Sequence, residues 1–583
     1  MKNNKLRSFF QYQITIDGIS TGWKIKKSWI YIFWITLIIF IILIFYFYDF
    51  SLNFPDGSDI FLRNFKKIFT FSSVSTFETG GNLWIKSLQF LFINIKYVIA
   101  GTFVGFVIAL ITSFFSSDQF NNKIICNIFK FILFFLRAVP EIVFILIFKN
   151  TLESADTILL LAYFWFSWLW LHKYFVEVFK TVDTKFYYLS IRMGNSKIRS
   201  FFREIYPRID NKIIGLLLYS FESNIRWASL LSNFGLIGIG LLTNHAAQNA
   251  GTNIEQLGIP LLILILFILS LELGDYLFRN FVLKHLPFIK ISRNNFLKWI
   301  QINWQKIFKL ILLLFLIIFS IYIFFSLNYS IFKNNFFLSY TNNFFKPDFS
   351  VFNLSSFSIE FNPIIQSLQI WIHTFFTLII LFVLVLFFLP FLIENQNSKY
   401  TITLTKFWLI VFRSVPSIIV FFVFSPLFNS SSTLILIILA FHSCGSILKQ
   451  LSDSVNKIDA SKFKNLKLIG WGKFKIYKHY VLPYLKKDLM TLFTIYMEIM
   501  FRSIILYSSL SEREFFIGGK LFIYLNGRVI EFNKAFAYMW IIMFNIFVLN
   551  IVTNLILNFE KVKQEFLKIY NKFSKTKILK SNI

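Results

Sequence analysis

Residues of unusual type in the first half of the chain return in the second half at a constant offset of 276 positions. A gap-free offset over this length is not expected by chance, even in a composition rich in Phe, Ile and Lys. The pattern therefore predicts two homologous halves in one polypeptide. The repeated residues are Arg137 and Arg413, Pro140 and Pro416, Gly194 and Gly470, Pro207 and Pro483, Glu222 and Glu498, and Arg226 and Arg502.

Long apolar runs place the chain in the membrane-protein class. Hydrophobic residues make up 56% of the sequence and charged residues 15%, whereas soluble domains carry about 25% charged residues. Because about 20 apolar residues cross the hydrocarbon as a helix, we predict an all-α integral membrane protein with six spans in each half. The runs lie near 29–48, 91–115, 128–149, 157–171, 213–233 and 258–278, and near 310–327, 368–393, 404–424, 433–447, 489–508 and 536–558.

Six spans per half give both halves the same orientation, which makes the repeat parallel rather than inverted. We expect a first repeat at 1–300 with a transmembrane core at about 83–281. The second repeat is expected at 301–583 with a core at about 363–558.

The third run of the first half allows two interpretations, because Lys130 and Arg137 interrupt it. It is either one weak span or an interfacial helix at about 122–136 followed by a short span from Pro140. Proline suits the first turn of a helix, since its missing N–H has no partner there. Both interpretations leave the number of crossings unchanged.

The net charge of +30 is concentrated in segments that fall on one side of the membrane when the spans are counted in this way. This positive-inside distribution predicts a multi-pass protein of the cell membrane with both termini in the cytoplasm. A nucleic-acid-binding protein would present one contiguous basic face, so no nucleic-acid partner is expected. The segments are 1–28, 172–212, 279–309, 448–488 and 559–583, and together they carry 29 of the 30 charges.

The sequence lacks the patterns that carry enzyme chemistry. Cys126 and Cys444 lie in apolar surroundings, and the six histidines show no metal-ligand spacing. A phosphate-binding loop needs G-x4-G-K-[ST], and Gly518-Gly519-Lys520 has neither that frame nor the following Ser or Thr. We expect no catalytic residue, no metal and no cofactor, so any ATP-driven function needs a separate ATPase.

A basic loop between two spans carries a glycine followed thirteen residues later by a proline, as Gly194 and Pro207 and again as Gly470 and Pro483. The glycine is expected to let the chain turn between two short helices, and the proline to start the next span. This spacing resembles the E-A-A-x3-G-x9-I-x-L-P loop of binding-protein-dependent ABC importer permeases. In that family the short helix before the glycine docks onto the ATP-binding subunit.

The resemblance extends to the phosphonate-type subfamily through four stretches, 135–141, 173–183, 222–226 (ESNIR) and 235–240 (GLIGIG). It implies the type I ABC importer permease fold. It also implies an anionic substrate, such as a phosphonate, a phosphate-like anion or a thiamine derivative, and an extracellular substrate-binding lipoprotein. The E-A-A positions depart from the motif, so its docking contacts do not carry over in detail. They read Tyr188-Leu189-Ser190 in the first half and Lys464-Asn465-Leu466 in the second.

Two glutamate–arginine pairs, Glu222 with Arg226 and Glu498 with Arg502, have i,i+4 spacing inside otherwise apolar spans. Charges in such places usually turn inward to a partner or a water-filled path. One interpretation is a self-neutralising pair that fixes each fifth span. The other is that the two arginines face each other across the substrate pathway and attract anions.

Arg137 and Arg413 each lie three residues before a proline, at the start of a predicted span. The simpler interpretation is an anchor whose side chain extends to the cytoplasmic headgroups. The alternative is a coupling role between the basic loop and the pore. Glu272, with Asp275, has no duplicate and is expected at the inner interface.

The function that these features favour is the membrane-spanning subunit of an ABC importer. It would take a small-molecule substrate from the lipoprotein and dock a separate ATPase, and we expect two copies of the ATPase because the chain has two loops. A twelve-span secondary transporter would show the same repeat, but it should carry intramembrane carboxylates or half-broken helices for ion coupling. Here each duplicated carboxylate has an arginine at i+4, and the repeated signature lies in a cytoplasmic loop. A membrane enzyme would need a catalytic cluster, and none repeats.

Overall fold

A computed structural model describes the chain from residue 11 to residue 557, apart from 17–18, scattered positions between 27 and 48, 78–79, 233, 283–295, 331–333, 457, 512–514 and 528–529. The described part is a bundle of helices, which confirms the all-α membrane body. An antiparallel hairpin of β1 (Gln11–Ile16) and β2 (Ile19–Ile25) precedes it in the sequence.

Twenty-two helices follow within the described residues. Those of the first half are α1 (Asp56–Ile68), α2 (Leu83–Ser116), α3 (Lys123–Ala138), α4 (Glu141–Thr151), α5 (Ala155–Lys180), α6 (Lys185–Arg192), α7 (Lys197–Ser200), α8 (Tyr206–Ser232), α9 (Ile239–Gln248), α10 (Ala250–Asn253) and α11 (Gly258–Phe281). Those of the second half are α12 (Phe296–Ser326), α13 (Asn334–Phe344), α14 (Pro363–Phe388), α15 (Lys399–Ser414), α16 (Ser417–Phe424), α17 (Ser431–Val455), α18 (Ala460–Leu468), α19 (Lys473–Ile476), α20 (Leu482–Tyr507), α21 (Phe516–Asn526) and α22 (Phe532–Leu557).

The offset of 276 residues relates the helices as well as the single residues. α3 and α15 correspond residue for residue, and so do α7 and α19. A π-helical segment follows each of the latter pair, at Phe201–Ile205 and at Tyr477–Val481. The tandem repeat predicted from the sequence is therefore present in the fold.

The third predicted span of each half is a broken pair of helices. α3 and α4 are bent by 78°, and α15 and α16 by 81°. Pro140 and Pro416 are the N-cap residues of α4 and α16. The break occurs there because the residue before a proline disfavours the helical conformation. The structure therefore agrees with the second interpretation, a helix up to about 136 followed by a short span from the proline.

Seven helical stretches of the described residues are long and apolar enough to cross a membrane, or nine if each bent pair is one span. α5 and α8 have 26 and 27 residues, so at 1.5 Å per residue they also have the length of a span. The first predicted span, 29–48, lies largely outside the described residues. The basic tail 559–583 lies outside them entirely.

Each half is hydrogen-bonded to a segment outside its own helical core, near the start of α5 in the first half and of α17 in the second. The hydroxyl of Thr433 donates a hydrogen bond to the carbonyl of Asp49 at 2.8 Å. Thr157, which is equivalent to Thr433 by the offset, donates to the carbonyl of Asn328 at 2.6 Å. Because the largest apolar cluster contains residues of both halves, the two repeats form one packed body.

Candidate substrate pathway and coupling loops

Three cations surround the buried carboxylate of Glu498, and two of them come from the other half. Lys173 Nζ lies 2.7 Å from Glu498 Oε2, and Arg137 Nε lies 3.4 Å from Oε1. Arg502, one helical turn after Glu498 in α20, completes the set at 3.0 Å and also donates to the carbonyl of Arg137. We call Arg137, Lys173, Glu498 and Arg502 the Glu498 cluster.

The equivalent residues form a second cluster with the halves exchanged. Glu222 of α8 pairs with Arg226 at 2.8 Å, with Arg413 at 2.9 Å and with Lys449 at 3.3 Å. This cluster has an additional carboxylate, Glu272 of α11, which lies 2.9 Å from Lys449 and also pairs with Arg413. We call these five residues the Glu222 cluster.

The two clusters correct the interpretation of Arg137 and Arg413 as headgroup anchors, which is wrong. The side chain of Arg413 is 2% exposed and lies between two carboxylates, and Arg137 reaches Glu498 of the other half. The prediction for Glu272 gave only a position at the inner interface. In the structure Glu272 is a counter-ion of Arg413 and Lys449 inside the bundle. The i,i+4 pairs are present, but each glutamate is shared with two more cations.

A cavity of about 230 Å³ lies between the two halves. Arg226 lines it, and so do all four residues of the Glu498 cluster, including Arg502. Asn224, between the charged residues of α8, donates hydrogen bonds of 2.7 Å to the hydroxyls of Thr102 and Ser167. These bonds fix α8 against α2 and α5.

The two basic loops fold as the glycines predict. Gly194 turns the chain between α6 and α7 with φ +88°, and Gly470 turns it between α18 and α19 with φ +82°. Side chains are disfavoured in this conformation. Pro207 and Pro483 are each the second residue of the long helix that follows. Since proline has no N–H for the ordinary i−4 bond, the π-helical turn before it is a local adjustment that the sequence analysis missed.

Each loop has one buried anchor and an exposed apolar face. Tyr187 is buried against Phe120, with ring centroids 5.1 Å apart, and the equivalent Phe463 is also buried. The exposed side chains lie on both sides of the glycines. They are Phe186, Leu189, Met193 and Ile198 in the first loop, and Leu468, Ile469 and Phe474 in the second.

The start of the second loop helix is fixed by a side-chain cap. Asp459 accepts hydrogen bonds from the Ser461 amide at 3.0 Å and from the Ser461 hydroxyl at 2.7 Å. These bonds hold the pKa of the Asp459 carboxyl below its usual range. The cap therefore stays ionised at neutral pH and stabilises the helix N-terminus.

The sequence matches the family described as the binding-protein-dependent transport system inner membrane component, over residues 101–284 and again over 387–559. The chain belongs to this family. It is a membrane permease of the ABC transporter class with the domain present twice, and such permeases work with an ATPase and a substrate-binding protein. The family is one of transport proteins and not of enzymes, and it does not favour the secondary-transporter alternative.

Two relatives align with most of the length of this permease. It is 30% identical over 453 residues to the ABC transport system permease protein p69 of Mycoplasma pneumoniae. The aligned region covers 76% of this chain and 80% of the relative. It is 27% identical over 493 residues to the protein of the same name from Mycoplasma genitalium, covering 83% and 87%. No solved structure matches the permease.

The sequence analysis missed three members of the permease's ion clusters as site residues. Lys173 and Lys449 were visible as one more pair at the offset of 276, because both open the basic loop. Glu272 has no such signal, since residue 548, its equivalent, is a valine. The described residues hold no group of three or more His, Cys, Asp or Glu side chains arranged for a metal ion.

Proposed function

We propose that this permease forms the substrate pathway of an importer and docks a separate ATPase through its two glycine–proline loops. The proposed substrate is a small anion, such as a phosphonate, a phosphate ester or a thiamine derivative. The observation that carries the proposal is the structure of the two loops and of the helices that follow them. Each presents exposed apolar side chains, and each continues without a break into the helix that carries a glutamate–arginine pair.

The continuity of loop and helix supports coupling. From Lys473 the second loop runs as one helical stretch to Leu510 and includes Glu498 and Arg502. A movement imposed on the loop by an ATPase would therefore move the charged residues at the cavity. Exposed apolar patches of this kind mark interaction surfaces, and the basic residues around them suit an acidic partner surface.

The loop proposal is tested by changing the two glycines together. Gly194→Val with Gly470→Val is expected to abolish co-purification of ATPase activity with the tagged chain, because a β-branched residue is strained at positive φ. The measurement is a pull-down from detergent followed by an ATPase assay of the eluate.

Gly472→Val is the matched control for that pull-down. Gly472 lies in the same loop, and a Cβ there meets nothing within 4 Å, as at Gly470, but its φ is −70°. ATPase activity should therefore be retained in this variant. Retention in the double variant as well would overturn the docking role, and so would an ATPase-free chain that transports in vesicles on an ion gradient.

The pathway proposal is tested with Arg226→Ala combined with Arg502→Ala. Uptake is expected to be lost, because both cations line the cavity. Assembly should persist, since each glutamate keeps two further cations from the opposite half. Normal uptake by a correctly assembled double variant would contradict the pathway role.

We further propose the arrangement of the complex. An extracellular lipoprotein delivers the substrate to the outer face, both termini are cytoplasmic, and one copy of the chain binds two copies of the ATPase. The two equivalent loops support this stoichiometry, because one fused chain supplies both docking sites that such a transporter needs. The mass of the purified complex would test it.

A further inference from the structure

The two halves line the central cavity with different chemistry at equivalent positions. Trp170 and Trp227 of the first half line it where the second half has Ser446 and Ser503, all four at the offset of 276. The aromatic side extends further along the first half, with ring centroids of Trp170 and Tyr174 4.3 Å apart. The first-half side, called the aromatic wall below, is therefore the richer in aromatic rings, and Tyr496 and Tyr507 of the second half complete the aromatic lining.

The two ion clusters also differ, because Glu272 has no equivalent. Its position in the second half is Val548 of α22. α22 packs against α3 there, with the ring centroids of Phe547 and Phe134 5.6 Å apart. This is the counterpart of α11 beside α15, where Glu272 pairs with Arg413. Val548 therefore places no carboxylate beside Arg137, and on this side the second carboxylate near the cations is Glu141 of the first half, whose equivalent is Ser417.

Cations outnumber carboxylates at the cavity wall on the side of the Glu498 cluster. Arg137, Lys173 and Arg502 line it there. Glu141 and Glu498 are the two carboxylates of the described lining, and the ion pairs of these three cations are with Glu498. Lys173 lies one residue before Tyr174 and three after Trp170, so this surplus is contiguous with the aromatic wall.

We infer that the cavity binds an organic anion with a flat aromatic group, with the anionic group at the Glu498 cluster and the ring on the first-half wall beside Trp170. This inference rests on the proposed function and narrows its substrate class. A ring packed on aromatic side chains gains affinity beyond its buried area. Surplus cations in a water-poor cavity favour an anion more strongly than they would in water.

The test uses three probes on the full chain in lipid nanodiscs, with affinities from isothermal titration. Phenylphosphonate carries both groups, methylphosphonate carries the anion alone, and benzyl alcohol carries the ring alone. Phenylphosphonate is expected to bind at least about fivefold more tightly than either single-group probe, in line with one aromatic contact. Equal affinities for phenylphosphonate and methylphosphonate would overturn the inference.

Two substitutions, each taken from the equivalent position in the other half, test the aromatic and the charged contribution to binding separately. Trp170→Ser gives the first half the residue of the second, and it should remove the preference for phenylphosphonate over methylphosphonate. Val548→Glu supplies the missing carboxylate, and it should weaken both phosphonates about tenfold. Val548→Gln, of the same size without the charge, is the matched control and should bind both as the unchanged chain does.

The outcomes distinguish this inference from the proposed function. If folded Trp170→Ser and Val548→Glu variants bind all probes as the unchanged chain does while ATPase still co-purifies, the aromatic-anion site is wrong and the importer assignment stands. If the probe preferences appear but no ATPase co-purifies, the proposed coupling fails and the site stands. Size-exclusion profiles that match the unchanged chain establish that each variant is folded.

Discussion

At the scale of single residues, the two clusters differ in how many acceptors their cations have. Glu498 is 6% exposed at its side chain and is contacted by three cations. Glu222 is buried to a similar degree, but Arg413 and Lys449 beside it also reach Glu272. A buried ion pair is weak evidence of stabilisation as a whole, yet removing one partner leaves an uncompensated charge. The two glutamates are therefore not equivalent.

Glu498→Gln is expected to destabilise the permease more than Glu222→Gln does. Loss of Glu498 leaves three cations without their shared carboxylate and should lower the free energy of unfolding by about 3–5 kcal/mol. Loss of Glu222 should lower it less, because Glu272 remains beside two of the three cations. Denaturant unfolding of both variants in mixed micelles, followed by tryptophan fluorescence, measures the difference.

Glu394→Gln provides the surface control for that comparison. Glu394 pairs with Lys406 at 3.3 Å, and both side chains are more than two-fifths exposed. An exposed pair of this kind contributes about 0–1 kcal/mol, so the variant should unfold as the unchanged chain does. Equal losses in Glu222→Gln and Glu498→Gln would show that Glu272 does not act as a second counter-ion.

At the scale of elements, the loop helices combine a fixed inner side with an exposed outer side. Phe463 is 1% exposed and is in ring contact with Tyr480 at 5.9 Å. Ile469 and Phe474, on either side of the turn at Gly470, are 71% and 74% exposed. The buried residue positions the loop on the bundle, and the exposed residues are free to contact a partner.

Replacing the four equivalent exposed residues Met193, Ile198, Ile469 and Phe474 by serine is expected to abolish co-purification of ATPase activity while the stability of the permease stays unchanged. Their side chains bury little within the chain, so surface substitution should change the free energy of unfolding by less than about 0.5 kcal/mol. Phe463→Ala should instead destabilise the permease. It should lower the free energy of unfolding by about 3–5 kcal/mol, because it leaves a cavity in the core. Undiminished ATPase in the serine variant would exclude this face.

Much of the arrangement of the helices and loops could be predicted from the sequence. The glycine turn, the helix starts at Pro140 and Pro416 and the pairing of elements all follow from backbone preferences of Gly and Pro and from a constant offset. The π-helical turns before Pro207 and Pro483 could not be predicted, because a missing N–H can be accommodated by a turn, a kink or a break. Which of these occurs depends on the packing around the helix.

At the scale of the whole molecule, the contacts that matter most join the two halves. Arg137 and Lys173 of the first half serve Glu498 of the second, while Arg413 and Lys449 serve Glu222. The repeat could not reveal this exchange, since each half contains a complete set of the same residues and an i,i+4 pair already explains each glutamate. Only the arrangement of the helices decides between partners in one half and partners in the other.

The exchanged clusters predict that the two halves associate without a covalent link. Expressed together as separate chains, 1–290 and 291–583, a tagged first half should retain the second half through detergent purification, because the apolar core and both clusters cross between them. Adding Glu222→Gln and Glu498→Gln should reduce the retained fraction, since each half then carries cations without their carboxylates. Glu394→Gln, whose partner Lys406 lies in the same half, should leave it unchanged. If the halves separate on purification, only the connection of the chain holds them together. If the double variant is retained as well as the control, the apolar contacts between the halves and not the ion clusters hold them together.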